Sequence, residues 1–287
     1  MDTRDLIKKV RQIEIKTKKL SNDVLTGSYH SAFKGKGLTF SEVRPYAYGD
    51  EVRMIDWKVT ARLSTPHVKM MEEERELTIL LIIDRSASLF YGTRIAEKAD
   101  YVTEIAALLT FSALKNNDKV GLITASGSID KVIPPAKGRY HALKIIRELV
   151  NEHVSTQGSS LAEALDYVNK VFKKRSVIFI LSDFLFDEEI HKQVRQLCSK
   201  HDVTAIRILD RIEKQPVSVG YLKVTEVESG RNYWINLDKQ LIDEYTAYLK
   251  KKNLNIKNLF KKYGGGFIEL ETGDDYFSSI LKYFSSK

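Results

Sequence analysis

A single cysteine, Cys198, stands in a chain of 287 residues. An intramolecular disulfide is therefore excluded, and the scarcity fits a reducing compartment. Cys198 itself reads as a small buried residue near a helix end rather than a reactive thiol. No apolar run approaches the roughly 18–20 residues that a bilayer span needs. The opening Met1-Asp2-Thr3-Arg4-Asp5 leads into charged amphipathic sequence, not the apolar region of a signal peptide. A cytoplasmic protein is the expectation. No Gly-x-x-x-x-Gly-Lys-Ser/Thr loop is present, so ATP hydrolysis is not this chain's own work. No Gly-x-Ser-x-Gly elbow supports a serine hydrolase. The six histidines form no His-Glu-x-x-His pair, which argues against zinc chemistry.

The formal net charge is +8, but it is unevenly placed. Residues 1–36 hold nine Lys/Arg against four Asp/Glu, and residues 250–263 hold six Lys and no acid, leaving the remainder net negative. Basicity thus belongs to two segments. They read as solvated helix faces, with phosphate contacts to nucleic acid as the alternative.

Residues 4–20 carry helically spaced apolar positions among Lys and Arg. From Ser28 to Met71, glycines, Pro45 and Pro66 punctuate short segments, which predicts a small β-rich or irregular layer. From residue 76 strands alternate with helices. Leu77–Ile83 is a near-continuous apolar strand, as a parallel sheet buried on both faces requires. Further strands are expected at Lys119–Thr124, Lys131–Pro134, Ser176–Leu181, Val203–Leu209 and Phe267–Glu271, with helices between them that include Tyr91–Asn116 and Arg139–Val150. Glu228-Ser229-Gly230 marks a hairpin, and a long basic helix over about Lys239–Tyr263 ends at Gly264-Gly265-Gly266. The expected fold is α/β, a doubly wound and mostly parallel sheet. The expected division is 1–75, an N-terminal helix plus β-rich layer, and 76–285, the α/β domain with a hairpin insertion at about 213–237.

Asp84-Arg85-Ser86-Ala87-Ser88 follows directly on the first buried strand. One carboxylate and two hydroxyls are presented together at the sheet edge where α/β folds bind ligands. Two further oxygen-bearing turns are placed to join them: Gly158-Ser159-Ser160 opening a helix, and Asp183 directly after Ser176–Leu181. Hard oxygen donors suit Mg²⁺, with Mn²⁺ or Ca²⁺ as alternatives. Singly, Ser86, Ser88 or Ser159 reads as a helix N-cap and Asp183 as a turn residue. Jointly, Asp84, Ser86, Ser88, Ser159 and Asp183 read as a cation site with few charged ligands, which a partner's carboxylate would complete. An aspartyl-phosphate enzyme would need a second aspartate two residues after the first, and Ser86 stands there.

This set resembles the metal-ion-dependent adhesion site of von Willebrand factor type A domains, with Ser159 where that pattern has Thr. The upstream sequence is more specific. Phe33-Lys34-Gly35-Lys36-Gly37, Ser41-Glu42-Val43-Arg44-Pro45-Tyr46, Gly49-Asp50-Glu51-Val52-Arg53-Met54-Ile55-Asp56-Trp57, Thr60-Ala61-Arg62 and Glu72-Glu73-Glu74-Arg75 resemble the "domain of unknown function 58" family. Two departures are Leu38-Thr39-Phe40, where a Glu-Phe pair is common, and Leu89, where Met often follows the last serine. The resemblance implies a protein partner, a MoxR-type AAA+ ATPase or its client proteins, and a chaperone-like role. Many relatives carry membrane helices near the N-terminus; the lack of one here implies a soluble role.

The upstream charges also admit two readings. Arg44, Asp50, Arg53, Asp56 and Arg62 alternate in sign around Tyr46 and Trp57. They form either a salt-bridged layer with Trp57 as packing anchor or a docking surface for a partner. The function expected is cation-dependent protein binding without catalysis. The alternatives are a metal-dependent phosphohydrolase or nuclease on the same aspartates, and a nucleic-acid binder using the basic helices.

Overall fold

The computed structural model describes residues 11–14, 39–72, 76–90, 98–151, 160–186, 189–225 and 231–286. The chain divides into two compact units, Phe33–Glu76 and the remainder.

In the smaller unit, β1 (Thr39–Pro45) pairs antiparallel with β2 (His67–Glu72), with a register shift between Phe40 and Glu42. Between them runs α1 (Trp57–Leu63), which the sequence reading leaves unassigned. Seven residues are too few to show helical periodicity. Its start is nevertheless signalled by Asp56, whose carboxylate accepts from the backbone N–H groups of Lys58 and Val59 as an N-cap.

The larger unit is built on β3 (Thr78–Asp84), β4 (Lys119–Ala125), β5 (Ile129–Ala136), β6 (Val177–Ser182), β7 (Asp202–Leu209) and β10 (Gly266–Glu271). Their order across the sheet is β10-β7-β6-β3-β4-β5. All neighbours are parallel except β5, which returns antiparallel on β4. A tight three-residue turn after Ala125 permits only that return, because a parallel partner needs a crossover of a dozen residues or more. The helices are α2 (Lys98–Lys115), α3 (Arg139–Val150), α4 (Leu161–Val171), α5 (His191–Lys200), the short α6 (Arg211–Lys214), α7 (Lys239–Lys262) and α8 (Tyr276–Ser285). β8 (Gly220–Thr225) and β9 (Asn232–Leu237) form the separate antiparallel hairpin that the sequence leads one to expect.

Strand alternation explains the layers. Leu80, Ile82, Ile178, Ile180, Val203 and Ala205 pack with residues of α4, α5 and α7 in one core. On the α2–α3 side, Ala107 and Phe111 meet Ala142, Ile146, Val150 and also Ile13 of the helical residues 11–14. Those four residues therefore group with the larger unit. Their attachment includes Glu14 Oε1, which accepts from Arg139 Nη2 at 2.8 Å. Gly264, at a φ of 77°, ends α7, as only a residue without a Cβ does at little cost. Cys198 lies in α5, and burial pushes its thiol up to about 11, so it is inert at neutral pH.

Candidate metal centre

The sheet order reverses direction between β3 and β6, which are direct neighbours with Ile83 opposite Leu181. In doubly wound folds that reversal leaves a crevice at the carboxyl ends of the strands. Asp84 is the last residue of β3 and Asp183 the first after β6, so both stand at its mouth. Both are buried, at 1% exposure each.

Asp84 is held at both oxygens. Its Oδ1 accepts from the Ser86 backbone N–H at 2.9 Å, and its Oδ2 accepts from the Ser182 hydroxyl at 2.7 Å. Ser182 Oγ in turn accepts from the Phe184 N–H at 2.9 Å. The hydroxyls of Ser86 and Ser88 lie 3.0 Å apart, bonded to each other. Arg85, between Asp84 and Ser86, turns away from this cluster. Its guanidinium donates to the Asn151 carbonyl at 2.6 Å and the Glu148 carbonyl at 3.3 Å, pinning the loop to the carboxyl end of α3. A cavity of about 20 Å³, room for one water, lies against Asp84 and Arg85. Burial, and then the charge of Asp183, push the Asp84 carboxyl up to about 6. The charge of Asp84 is thus disfavoured both by its burial and by its carboxylate neighbour.

Ser159 lies outside the described residues. Its neighbour Ser160 stands at the N-cap of α4 without making a side-chain cap bond. Its buried Oγ has no hydrogen-bond partner among the described residues. Because α4 leads into β6, this end of the helix is at the same carboxyl edge. Asp84, Ser86, Ser88 and Asp183 are thus gathered at one edge, with an orphan hydroxyl on the second loop. An all-oxygen donor set with excess buried negative charge fits a hard divalent cation. No group of three or more His, Cys, Asp or Glu side chains is placed to hold a metal among the described residues. Two of the four residues gathered here are serines, which such a grouping does not count.

The sequence reading misses what stands behind Asp183. Lys98, fully buried at the start of α2, donates from Nζ to Asp183 Oδ2 at 3.0 Å and to Glu213 Oε1 at 2.7 Å. Burial favours a neutral amine, but Asp183 and Glu213 outweigh it and raise the Lys98 pKa above the ordinary value. Arg207, also fully buried, donates from Nε to the Asp183 carbonyl at 2.9 Å. Neither of its Nη atoms has a hydrogen-bond partner among the described residues. No local sequence signal marks Lys98, which lies 85 residues from Asp183. Arg207 is a weaker case: an Arg in the otherwise apolar run Val203–Leu209 is itself an anomaly.

In the smaller unit, Arg44 and Asp50 form a two-point ion pair at 2.9 and 2.6 Å. Asp50 also accepts from the Ala47 N–H, and this set of contacts holds its carboxyl below the usual range. Asp56, the α1 cap, lies 3.4 Å from Lys69. The packing-anchor reading of Trp57 is corrected: its side chain is 67% exposed. As the first residue of a short helix with a solvent-facing side, it has no core to enter. Arg53 and Arg62 are exposed and Tyr46 borders on it. Trp57→Ala is expected to leave the melting temperature unchanged within about 0.5 kcal/mol of stability, as for other surface sites. A larger loss by thermal denaturation would reinstate the anchor.

The family model described as "Protein of unknown function DUF58" matches residues 42–254. The chain belongs to the DUF58 family. A relative in the same size range is the uncharacterized protein Rv1480 of Mycobacterium tuberculosis, 29% identical over 289 residues, covering 100% of this chain and 91% of that one. Among solved structures, this DUF58 chain is similar to the conserved hypothetical protein BatB from Bacteroides thetaiotaomicron, with a TM-score of 0.45 and 11% identity over 73% of this chain and 98% of that chain. It is also similar to a von Willebrand factor type A protein from Catenulispora acidiphila, with a TM-score of 0.41 and 11% identity over 77% of this chain and 43% of that chain. The larger unit of the DUF58 chain is a doubly wound, mostly parallel α/β domain. Among the described residues, no helix is long and apolar enough to cross a membrane.

Proposed function

We propose that this chain is a divalent-cation-dependent protein-binding module that serves a MoxR-type AAA+ ATPase as adaptor or chaperone-like partner. One observation supports the cation reading: Asp84 with Ser86 and Ser88 after β3, and Asp183 after β6, stand at the carboxyl edge of two neighbouring strands where the sheet order reverses, near enough for the charge of Asp183 to act on Asp84. Ser86 and Ser88 would hold Mg²⁺ or Mn²⁺ through hydroxyl oxygens, and Asp84 and Asp183 would balance its charge. When bound, the cation supplies a Lewis-acidic seat for a carboxylate of the partner. The serines contribute no charge, so the two carboxylates do no more than neutralise the ion, and an open coordination position would be left for an acidic guest. The ATPase partnership rests on the family resemblance, and the exposed Trp57, Arg53 and Arg62 are the side chains of the smaller unit suited to docking.

Millimolar Mg²⁺ is expected to raise the melting temperature relative to EDTA, and Asp84→Ala to abolish the increment. A ligand at 100 times its dissociation constant stabilises by about 2.7 kcal/mol. Equal melting of the wild type in Mg²⁺ and in EDTA would count against the cation site. Capture of the ATPase from lysate by the wild type, lost in EDTA and with Asp84→Ala, tests the partner.

A further inference from the structure

Lys98 is the feature that the cation reading alone does not explain. Its ammonium occupies Asp183 Oδ2 at 3.0 Å, while Asp183 Oδ1 accepts from the Leu185 N–H at 3.1 Å. Both oxygens of this carboxylate are therefore engaged, one of them by a full positive charge. The carboxylates of Asp183 and Glu213 hold the ammonium in place.

The second carboxylate is positioned independently of the lysine. Glu213 belongs to a capping box at α6: its Oε2 accepts from the Asp210 N–H at 2.9 Å, leaving Oε1 for Lys98 at 2.7 Å. Asp210 is itself held, accepting from the Thr272 hydroxyl at 2.9 Å. Glu213 thus offers the ammonium a seat that persists when Asp183 is drawn elsewhere.

We propose that Lys98 is a tethered cation that competes with the divalent ion for Asp183, and that Glu213 sets the outcome by holding the ammonium away from it. The proposal rests on the reading of the Asp84–Asp183 centre given above. A divalent ion that draws on Asp183 meets an ammonium on the same carboxylate, and like charges repel strongly where water is excluded. Removing the ammonium relieves that repulsion. Neutralising Glu213 does the reverse, because Lys98 then has Asp183 as its only ionic partner in this pair of contacts. The two substitutions therefore act with opposite sign on the same equilibrium.

The test is calorimetric titration of MgCl₂, and separately MnCl₂, into the full chain and its variants. Lys98→Met is expected to tighten Mg²⁺ binding by about tenfold or more, the scale of one like charge removed from a buried site. Glu213→Gln is expected to weaken it about threefold or more, and to have a smaller effect in the Lys98→Met background. Glu213→Gln also serves as the measurement if Lys98→Met does not fold. Wild type that binds Mg²⁺ with Lys98→Met no tighter would overturn the competition and leave the cation centre standing. Binding by Lys98→Met but not by the wild type would support the competition and overturn cation dependence in the natural chain. No binding by either would overturn both. Glu213→Gln binding as tightly as the wild type would overturn the role given to Glu213.

Discussion

In EDTA at pH 7.5, Asp84→Asn is expected to unfold roughly 5–10 °C above the wild type, for a stability gain of about 3 kcal/mol in a domain of this size. The reason lies in the burial of the carboxylate beside Asp183, which pushes the Asp84 carboxyl from 3.8 up to about 6. The folded chain holds this proton more tightly than the unfolded chain does. Stability from Asp84 is therefore fully present below about pH 4 and is lost as the pH rises through about 6. Above that the folded protein carries the whole cost of a buried, uncompensated charge. Asparagine is neutral at every pH and keeps a carbonyl to accept from the Ser86 N–H. The two melting curves should converge below about pH 4 and separate across the 4–6 interval. Thermal denaturation in citrate and phosphate buffers with EDTA measures this. An advantage that is flat with pH, or a variant that melts lower at pH 7.5, would remove the electrostatic argument. Saturating Mg²⁺ should shrink the advantage, since a bound cation supplies the missing compensation. On the proposed function, the natural aspartate would be a stability cost that ligand binding offsets.

Lys98→Met should cost roughly 3–5 kcal/mol in the absence of metal, because it leaves Asp183 and Glu213 buried without their cation. The ammonium is fully buried and bonded to both carboxylates, so solvent screening does not soften the loss. Urea denaturation in EDTA measures the shift in midpoint. The double variant Lys98→Met/Glu213→Gln should recover part of the loss, since one uncompensated charge is removed with its partner. A Lys98→Met midpoint equal to that of the wild type would show that the contact contributes nothing net. The same variant is expected to gain more stability than the wild type from Mg²⁺. Loss in EDTA together with gain in Mg²⁺ separates a charge-competition role from simple packing.

Much of the secondary structure is legible in the sequence. The helix at Arg139–Val150 is read with its observed bounds, because its apolar positions recur at helical spacing between Gly138 and Asn151. The apolar runs ending in Asp84 and Ser182 announce strands buried on both faces. The strand expected at Lys131–Pro134 extends in fact from Ile129 to Ala136. Its two prolines obscure it, and an edge position tolerates them. The helix expected from Tyr91 is described from Lys98 onward, residues 91–97 lying outside the described part.

The candidate centre divides in the same way. Asp84, Ser86, Ser88 and Asp183 are visible because each sits at or just past the end of a strand, and a carboxyl-edge loop is a local property of the sequence. Lys98, Glu213 and Arg207 are invisible as a group. Their meeting depends on helix entry points and an insertion separated by 24 to 115 residues from their partners. Ser182 is hidden differently: it reads as the end of an apolar strand, and only its register beside β3 shows that it braces Asp84.

The sequence by itself determined which segments become strands and helices, and which loops carry oxygen donors, because periodicity and strand ends are written locally. Tertiary structure decided that β3 and β6 are neighbours, that β5 returns antiparallel, that Trp57 faces solvent and that a buried ammonium shares Asp183 with Glu213. These outcomes follow from long-range packing and from the desolvation of charges, whose energies are set by surroundings that no short stretch of chain contains.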